Sequence, residues 1–145
     1  MTKNLIQFLN KEVANFGLLY TKLHNFHWFV KGSMFYQLHE KFEELYDEVT
    51  EHFDAIAERV LMLDARPAAT LKEFLELASL KEASGNESTM EMIASAAADF
   101  EILNKEFYEG IELFEANGDD VTVDLLTGIR ASLQKHIWML KAMLA

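Results

Sequence analysis

Hydrophobic side chains recur every three or four positions through four long stretches of the chain. That spacing is typical of one apolar face of an α-helix. The four predicted helices run from about Asn4 to Lys31, from Phe35 to about Arg66, from Thr89 to Asn117 and from about Val121 to the end. Glycine or proline follows each of the first three, as expected where a helix must end.

The connection between the second and third predicted helices is long. It contains two capping boxes, in which a hydroxyl residue precedes a glutamate by three positions: Thr70 with Glu73, and Ser88 with Glu91. The first box predicts one short helix, whose apolar residues include Leu71 and Leu75. Residues 81–88 are polar and predict a loop.

The composition agrees with long helices and one domain. The chain has 145 residues with only 1 proline and 6 glycines, so few positions interrupt a helix. We predict a single domain over residues 1–145, with an all-α fold: a four-helix bundle with a short extra helix in its long second connection, which is ferritin-like connectivity. The absence of cysteine excludes disulfides, thiolate metal sites and cysteine nucleophiles.

The charge balance is strongly acidic, with a formal net charge of −11 at pH 7. Such a chain attracts cations and repels DNA phosphates and anionic membranes. No apolar run approaches the roughly 18 residues that span a bilayer, and no signal peptide opens the chain. We therefore expect a cytoplasmic protein without membrane contact. Acidity that serves only solubility is the simpler alternative.

Four side chains that can bind metal share one arc of the second predicted helix: His39, Glu43, Asp54 and Glu58. At about 100° per residue, the arc is roughly 100° wide and faces away from the apolar stripe. His39 with Glu43, and Asp54 with Glu58, are each separated by four residues, so each pair is close enough to hold one ion. A solvated acidic face that happens to contain a histidine is the alternative.

The two pairs cannot reach one ion within a single chain. Glu43 and Asp54 are about 16 Å apart along a straight helix, whereas ligands lie about 2 Å from a metal. An antiparallel second copy, related by a two-fold axis near position 48, would set His39 opposite Glu58 and Glu43 opposite Asp54. His27 is close enough to the start of this helix to add a nitrogen ligand. Imidazole with carboxylate suits iron(II), manganese or zinc.

Three segments carry a family resemblance: His24-Asn-Phe-His-Trp-Phe-Val-Lys-Gly32, Phe35-Tyr-Gln-Leu-His39-Glu-Lys-Phe-Glu43 and Asp54-Ala-Ile-Ala-Glu58-Arg59. Together with Lys135-His-Ile-Trp-Met139 they resemble the signature of the Dps family, or miniferritins, over the whole chain. The resemblance implies a hollow homododecamer that binds iron(II) at two-fold interfaces. It also implies oxidation of that iron, preferably by hydrogen peroxide, and storage of the ferric mineral inside, which protects against oxidative damage.

The resemblance also implies roles for individual residues. One subunit supplies His27, His39 and Glu43 to a di-iron ferroxidase centre, and its partner supplies Asp54 and Glu58. Many members have aspartate where this chain has Glu43; glutamate keeps the charge and adds one methylene group. Residues implied outside the ligand set are Trp28, which accepts oxidising equivalents, and Asp120 and Asp124, which line an iron-entry pore.

Two other functions compete with iron storage. Some relatives condense DNA, often through a lysine-rich terminal tail. Here only Met1, Thr2 and Lys3 precede the predicted first helix, and the chain ends at Ala145. We therefore expect no DNA binding near neutral pH. A helical signalling or adhesion ligand without catalysis is the third class.

Overall fold

The computed structural model describes residues 2–145, with side chains from Lys3 onward. Its five helices are α1 (Thr2–Phe29), α2 (Phe35–Met62), α3 (Leu71–Leu77), α4 (Thr89–Ala116) and α5 (Asp120–Leu144). No strand occurs within this range. Four long helices, with a short one between the second and third, confirm the predicted fold class. None of these helices has the length and apolar character needed to cross a lipid bilayer.

The predicted start of the first helix is wrong by two residues. We placed it at Asn4 with Gln7 as a capping partner, but α1 begins at Thr2. Nothing in Thr2 or Lys3 opposes helical backbone, so the first turn extends further towards the N-terminus. Met1, which the predicted single domain includes, lies outside the described residues.

Both predicted capping boxes are present. The Thr70 hydroxyl accepts the backbone N–H of Glu73 and donates to its carboxylate. In the second box the bonds are reciprocal: the Ser88 hydroxyl accepts the backbone N–H of Glu91, and the Glu91 carboxylate accepts the backbone N–H of Ser88. These bonds satisfy N–H groups that a helix start leaves without partners, which fixes the starts of α3 and α4.

Contacts divide the chain into two compact units, and one of them is Leu9–Met92. In this unit α1 and α2 pack through fully buried side chains such as Phe26 and Phe42, whose ring centroids are 5.6 Å apart. Phe74 of α3 lies over Gly17, where an added Cβ would come within 2.7 Å of the ring. A glycine at position 17 therefore lets α3 lie close to α1.

Polar side chains of α1 fasten the long connection within Leu9–Met92. The fully buried Asn15 accepts the backbone N–H groups of Ser79 at 2.8 Å and Leu80 at 3.1 Å. Lys22 donates to the carbonyl of Lys81 at 2.8 Å. A buried backbone group without a partner is costly, so these bonds, together with the buried side chain of Leu80, fix the path of the connection.

The other unit combines the start of α1, through Phe8, with Ile93–Ala145. The Phe8 ring meets Phe107 and Phe114 edge-on, with centroids 6.2 and 6.3 Å apart. Gly110 lies beneath that ring, and a Cβ there would stand 2.1 Å from Phe8. Only glycine therefore allows this approach of the ring to α4. The prediction of one domain over residues 1–145 stays a prediction.

Four residues of the predicted apolar stripes are exposed instead: Tyr20 on α1, Leu71 and Leu75 on α3, and Leu144 at the end of α5. Tyr20 lies 40% exposed on α1, and Leu71 and Leu75 on α3 are 75% and 56% exposed. The helix α3 is only two turns long and none of its residues is buried; the half-buried Phe74 is the side chain that lies over Gly17. An apolar stripe therefore overstates how much of so short a helix is covered.

Candidate metal centre

A tight turn places the end of α1 beside the start of α2. Gly32 adopts φ +104°, a left-handed conformation that side chains disfavour, and its carbonyl accepts the N–H of Phe35 at 3.1 Å. The predicted glycine cap is therefore confirmed. Because the chain reverses within a few residues, His27 near the end of α1 meets His39 on the first turns of α2.

His27 and His39 hold each other through backbone carbonyls. His27 Nδ1 donates to the carbonyl of His39 at 2.6 Å, and His39 Nδ1 donates to the carbonyl of His27 at 2.7 Å. A carbonyl oxygen only accepts, so each Nδ1 carries the hydrogen. In a neutral imidazole the other nitrogen, Nε2, then has a free lone pair, the arrangement that metal-binding histidines use.

The two imidazoles also stack, with centroids 3.7 Å apart and planes 13° apart. His27 is buried, at 7% exposure, while the side chain of Glu43 is 53% exposed. The distance from His27 Nε2 to the Glu43 carboxylate is 3.9 Å. Three of the five predicted ligands of one site thus lie near one another beside the turn between α1 and α2; we call His27 and His39, with Glu43 next to them, the histidine cluster.

Asp54 and Glu58 do not join this cluster within one chain. Both are exposed on the outer face of α2, and α2 is unbroken from Phe35 to Met62. Within residues 2–145, no group of three or more histidine or carboxylate side chains converges closely enough to hold a metal ion. The geometry of one chain therefore provides two separate half-sets of donors, one near each end of α2.

Aromatic side chains surround the histidine cluster. Trp28 is 66% exposed, so packing in the core of its own chain does not explain it, and its ring lies 5.3 Å from that of His24. Tyr46 stacks on His24 at 3.6 Å and meets His27 edge-on at 5.4 Å. Trp28 therefore belongs to an aromatic group beside the cluster, and its redox role stays a prediction.

Tyr46 is a neighbour that the sequence analysis missed. Its spacing of three residues from Glu43 and seven from His39 is the signal that places it near the same helical arc. Burial and, next, the carboxylates of Glu43 and Asp47 raise the pKa of the Tyr46 phenol. The phenol therefore stays neutral near pH 7, and it adds no charge to the acidic face.

His52 and His136 lie among packing or surface partners. His52 Nε2 lies 3.2 Å from the carboxylate of Glu48, and its ring packs 5.7 Å from that of Phe16. His136 is buried at 8% exposure beside Phe100. Neither has a place in the candidate centre.

The residues predicted for a pore begin α5. Asp119 is the N-cap of α5, since its carboxylate accepts hydrogen bonds from the backbone N–H of Thr122 at 3.0 Å and from the Thr122 hydroxyl at 2.6 Å. Asp120 and Asp124 are one turn apart, exposed, and line an open groove together with Thr127. The Asp119 carboxylate is thus used to cap the helix, whereas the carboxylates of Asp120 and Asp124 are exposed to solvent.

Comparisons with known proteins agree with this architecture. The ferritin-like domain matches residues 6–145. General stress protein 20U of Bacillus subtilis is 50% identical over 144 residues, and DNA protection during starvation protein 2 of Bacillus anthracis is 49% identical over 144, each match covering 99% of both chains. The crystal structure of a Dps protein from Bacillus brevis superposes with a TM-score of 0.97 at 48% identity, covering 99% of this chain and 96% of that one. This chain therefore belongs to the Dps family of ferritin-like proteins.

Proposed function

We propose that this protein oxidises iron(II), preferably with hydrogen peroxide, and stores the ferric product inside a hollow cytoplasmic dodecamer of identical chains. The observation that carries the proposal is the pair of histidines held by each other's carbonyls, with Nε2 of His27 3.9 Å from the Glu43 carboxylate. Membership of a ferritin-like family supports iron as the substrate. Protection against oxidative damage would follow from the removal of both iron(II) and peroxide.

In the proposed site, His27, His39 and Glu43 of one chain face Asp54 and Glu58 of a second. The backbone carbonyls orient the imidazoles before iron arrives, so little ordering remains to be done on binding. Carboxylates supply negative charge, which offsets the extra positive charge as iron(II) becomes iron(III). One hydrogen peroxide takes one electron from each of two iron(II) ions and, with two protons, yields two water molecules. No hydroxyl radical is released by that stoichiometry.

An anaerobic titration tests the proposal. Metal-free protein should take up iron(II) without colour, and added peroxide should then yield a soluble ferric core. Two iron(II) ions should disappear per peroxide, because peroxide accepts two electrons. A spin trap should detect little hydroxyl radical, in contrast to iron(II) and peroxide without protein. Ferric precipitate outside the protein, with radical production equal to the protein-free sample, would contradict the proposed function.

The name of the Bacillus anthracis relative refers to DNA protection during starvation, and DNA condensation is one alternative way to protect DNA. The charge of this chain opposes it, because each copy carries a formal net charge of −11 and DNA binding depends on neutralising phosphates with cations. The proposed assembly multiplies that charge. We therefore propose that the protein protects by consuming iron and peroxide and not by covering DNA.

A gel-shift measurement separates the two functions. We expect metal-free protein at pH 7 and low salt to leave the mobility of plasmid DNA unchanged, because like charges repel. A chelator in the buffer prevents metal ions from bridging the two anions. Retardation that weakens as salt is added would establish electrostatic DNA binding and overturn this prediction.

A further inference from the structure

Phe35, the first residue of α2, covers the face of His39 that His27 leaves open. Its ring centroid lies 4.9 Å from that of His39, with 21° between the planes. His39 also stacks on His27, with ring centroids 3.7 Å apart and 13° between the planes. Two rings at these distances cannot share one face of an imidazole, so they lie on opposite faces. The spacing of four residues puts Phe35 and His39 on the same face of α2. His39 is therefore the middle ring of three.

This arrangement restricts a rotation that is otherwise soft. The terminal torsion of a histidine, between sp³ and sp² carbons, has broad minima, so an isolated imidazole turns easily about it. Here flat rings occupy both faces of His39, and its Nδ1 edge is held by the carbonyl of His27 at 2.7 Å. The lone pair of His39 Nε2 is therefore held in one direction. The Nδ1 bond fixes which nitrogen faces outward, and the stack fixes the plane in which it lies.

We propose that Phe35 is a positioning residue of the iron site, acting through the orientation of His39. The inference rests on the proposed function, because it gives His39 Nε2 the role of an iron ligand. Phe35 itself offers no donor atom to a metal. Its loss should weaken binding of the ion, since the misoriented imidazole must be reordered on binding, and should affect the rate at saturating iron much less.

The test compares Phe35→Leu and Phe35→Met, which remove the flat face, with Phe35→Tyr, which retains it. The matched control is Tyr36→Leu, at a neighbouring ring that is 77% exposed and contacts Phe35 at 5.4 Å. Cobalt(II) is the probe, because it accepts imidazole and carboxylate ligands and its visible spectrum reports their geometry. Affinity is measured on metal-free, assembled protein, and crystal structures without metal report the plane of the His39 ring.

We expect the leucine and methionine variants to bind cobalt(II) about threefold to tenfold more weakly, the range expected for loss of one aromatic stacking contact. The apparent KM for iron(II) should rise by the same factor, with kcat nearly unchanged. The tyrosine variant and Tyr36→Leu should match wild type. If one of these two variants fails to assemble, the other is sufficient for the test, because both remove the ring at position 35.

Two outcomes overturn the positioning role. One is wild-type affinity, and an unchanged His39 plane, in an assembled variant without the ring. The other is a tyrosine variant as weak as leucine, which would show that Phe35 only supports the local fold. Failure of the proposed function looks different. Wild type and His39→Ala would then bind cobalt(II) equally, and the positioning role would fall together with the site.

Discussion

Mixed assemblies of two inactive variants are expected to recover about a quarter of the wild-type rate of fast iron oxidation, if two-fold pairs form at random. One variant lacks His39 and Glu43, and the other lacks Asp54 and Glu58, each through substitution by alanine. Alone, each should lose fast oxidation, because every shared site loses one of its two half-sets of ligands. Half of the random pairs are mixed, and each mixed pair contains one complete site and one site without those four ligands.

The physical basis is the length of α2. The helix is continuous from Phe35 to Met62, so His39 and Asp54 are separated by about 22 Å at the usual rise per residue. The four ligands that α2 supplies, His39, Glu43, Asp54 and Glu58, share one arc of the helix, away from its buried residues. One chain therefore has no means of bringing them to one ion without breaking the helix. In the proposed site, a second α2 antiparallel to the first would supply the missing ligands to both sites.

The measurement is stopped-flow oxidation of iron(II) by peroxide, after the variants have been unfolded together and refolded. A mixture of the same two proteins assembled separately is the control, and it should stay inactive. Native mass spectrometry, with one variant isotopically labelled, shows whether the chains have mixed. Well-mixed assemblies with no activity would exclude a site shared between chains, as would a metal-bound structure with every ligand from one subunit.

Replacement of both Asp120 and Asp124 by asparagine should slow iron uptake about tenfold or more, since a carboxylate-lined channel concentrates cations by that order. The two carboxylates are exposed, one turn apart, on the groove at the start of α5. Asparagine keeps their size and removes only the charge. Oxidation at saturating iron should be preserved, because the proposed centre on α1 and α2 is untouched.

The matched control removes the same charge elsewhere, with Glu76→Gln and Glu82→Gln, both exposed in or after α3. Uptake is followed by the growth of ferric absorbance at low iron, and assembly by size-exclusion chromatography. Asp119 is left intact in both variants, because its carboxylate caps α5. Unchanged uptake by an intact double variant would remove Asp120 and Asp124 from the entry path. An equal slowing in the control would attribute the effect to net charge alone.

Sequence alone determined the features that depend on neighbours along the chain. Apolar spacing predicted the four long helices, and the box formed by Thr70 and Glu73 predicted the short helix α3 and located its start. The glycine at position 32 predicted the left-handed turn after α1. The outward arc of α2 was also predictable, because a regular helix fixes the angle between any two of its residues. Such features need no knowledge of what packs against them.

Tertiary structure decided how distant segments meet. That His27 and His39 stack and exchange bonds with each other's carbonyls depends on the path of the turn and the side-chain torsions, which spacing does not specify. The buried Asn15 fastens residues 64 and 65 positions away, and neither its sequence neighbours nor its type predicts those partners. The exposure of Tyr20 also depends on tertiary structure, because no other segment of the chain covers this side chain completely. Local rules set which face of a helix is apolar, but burial depends on whether another segment arrives to cover it.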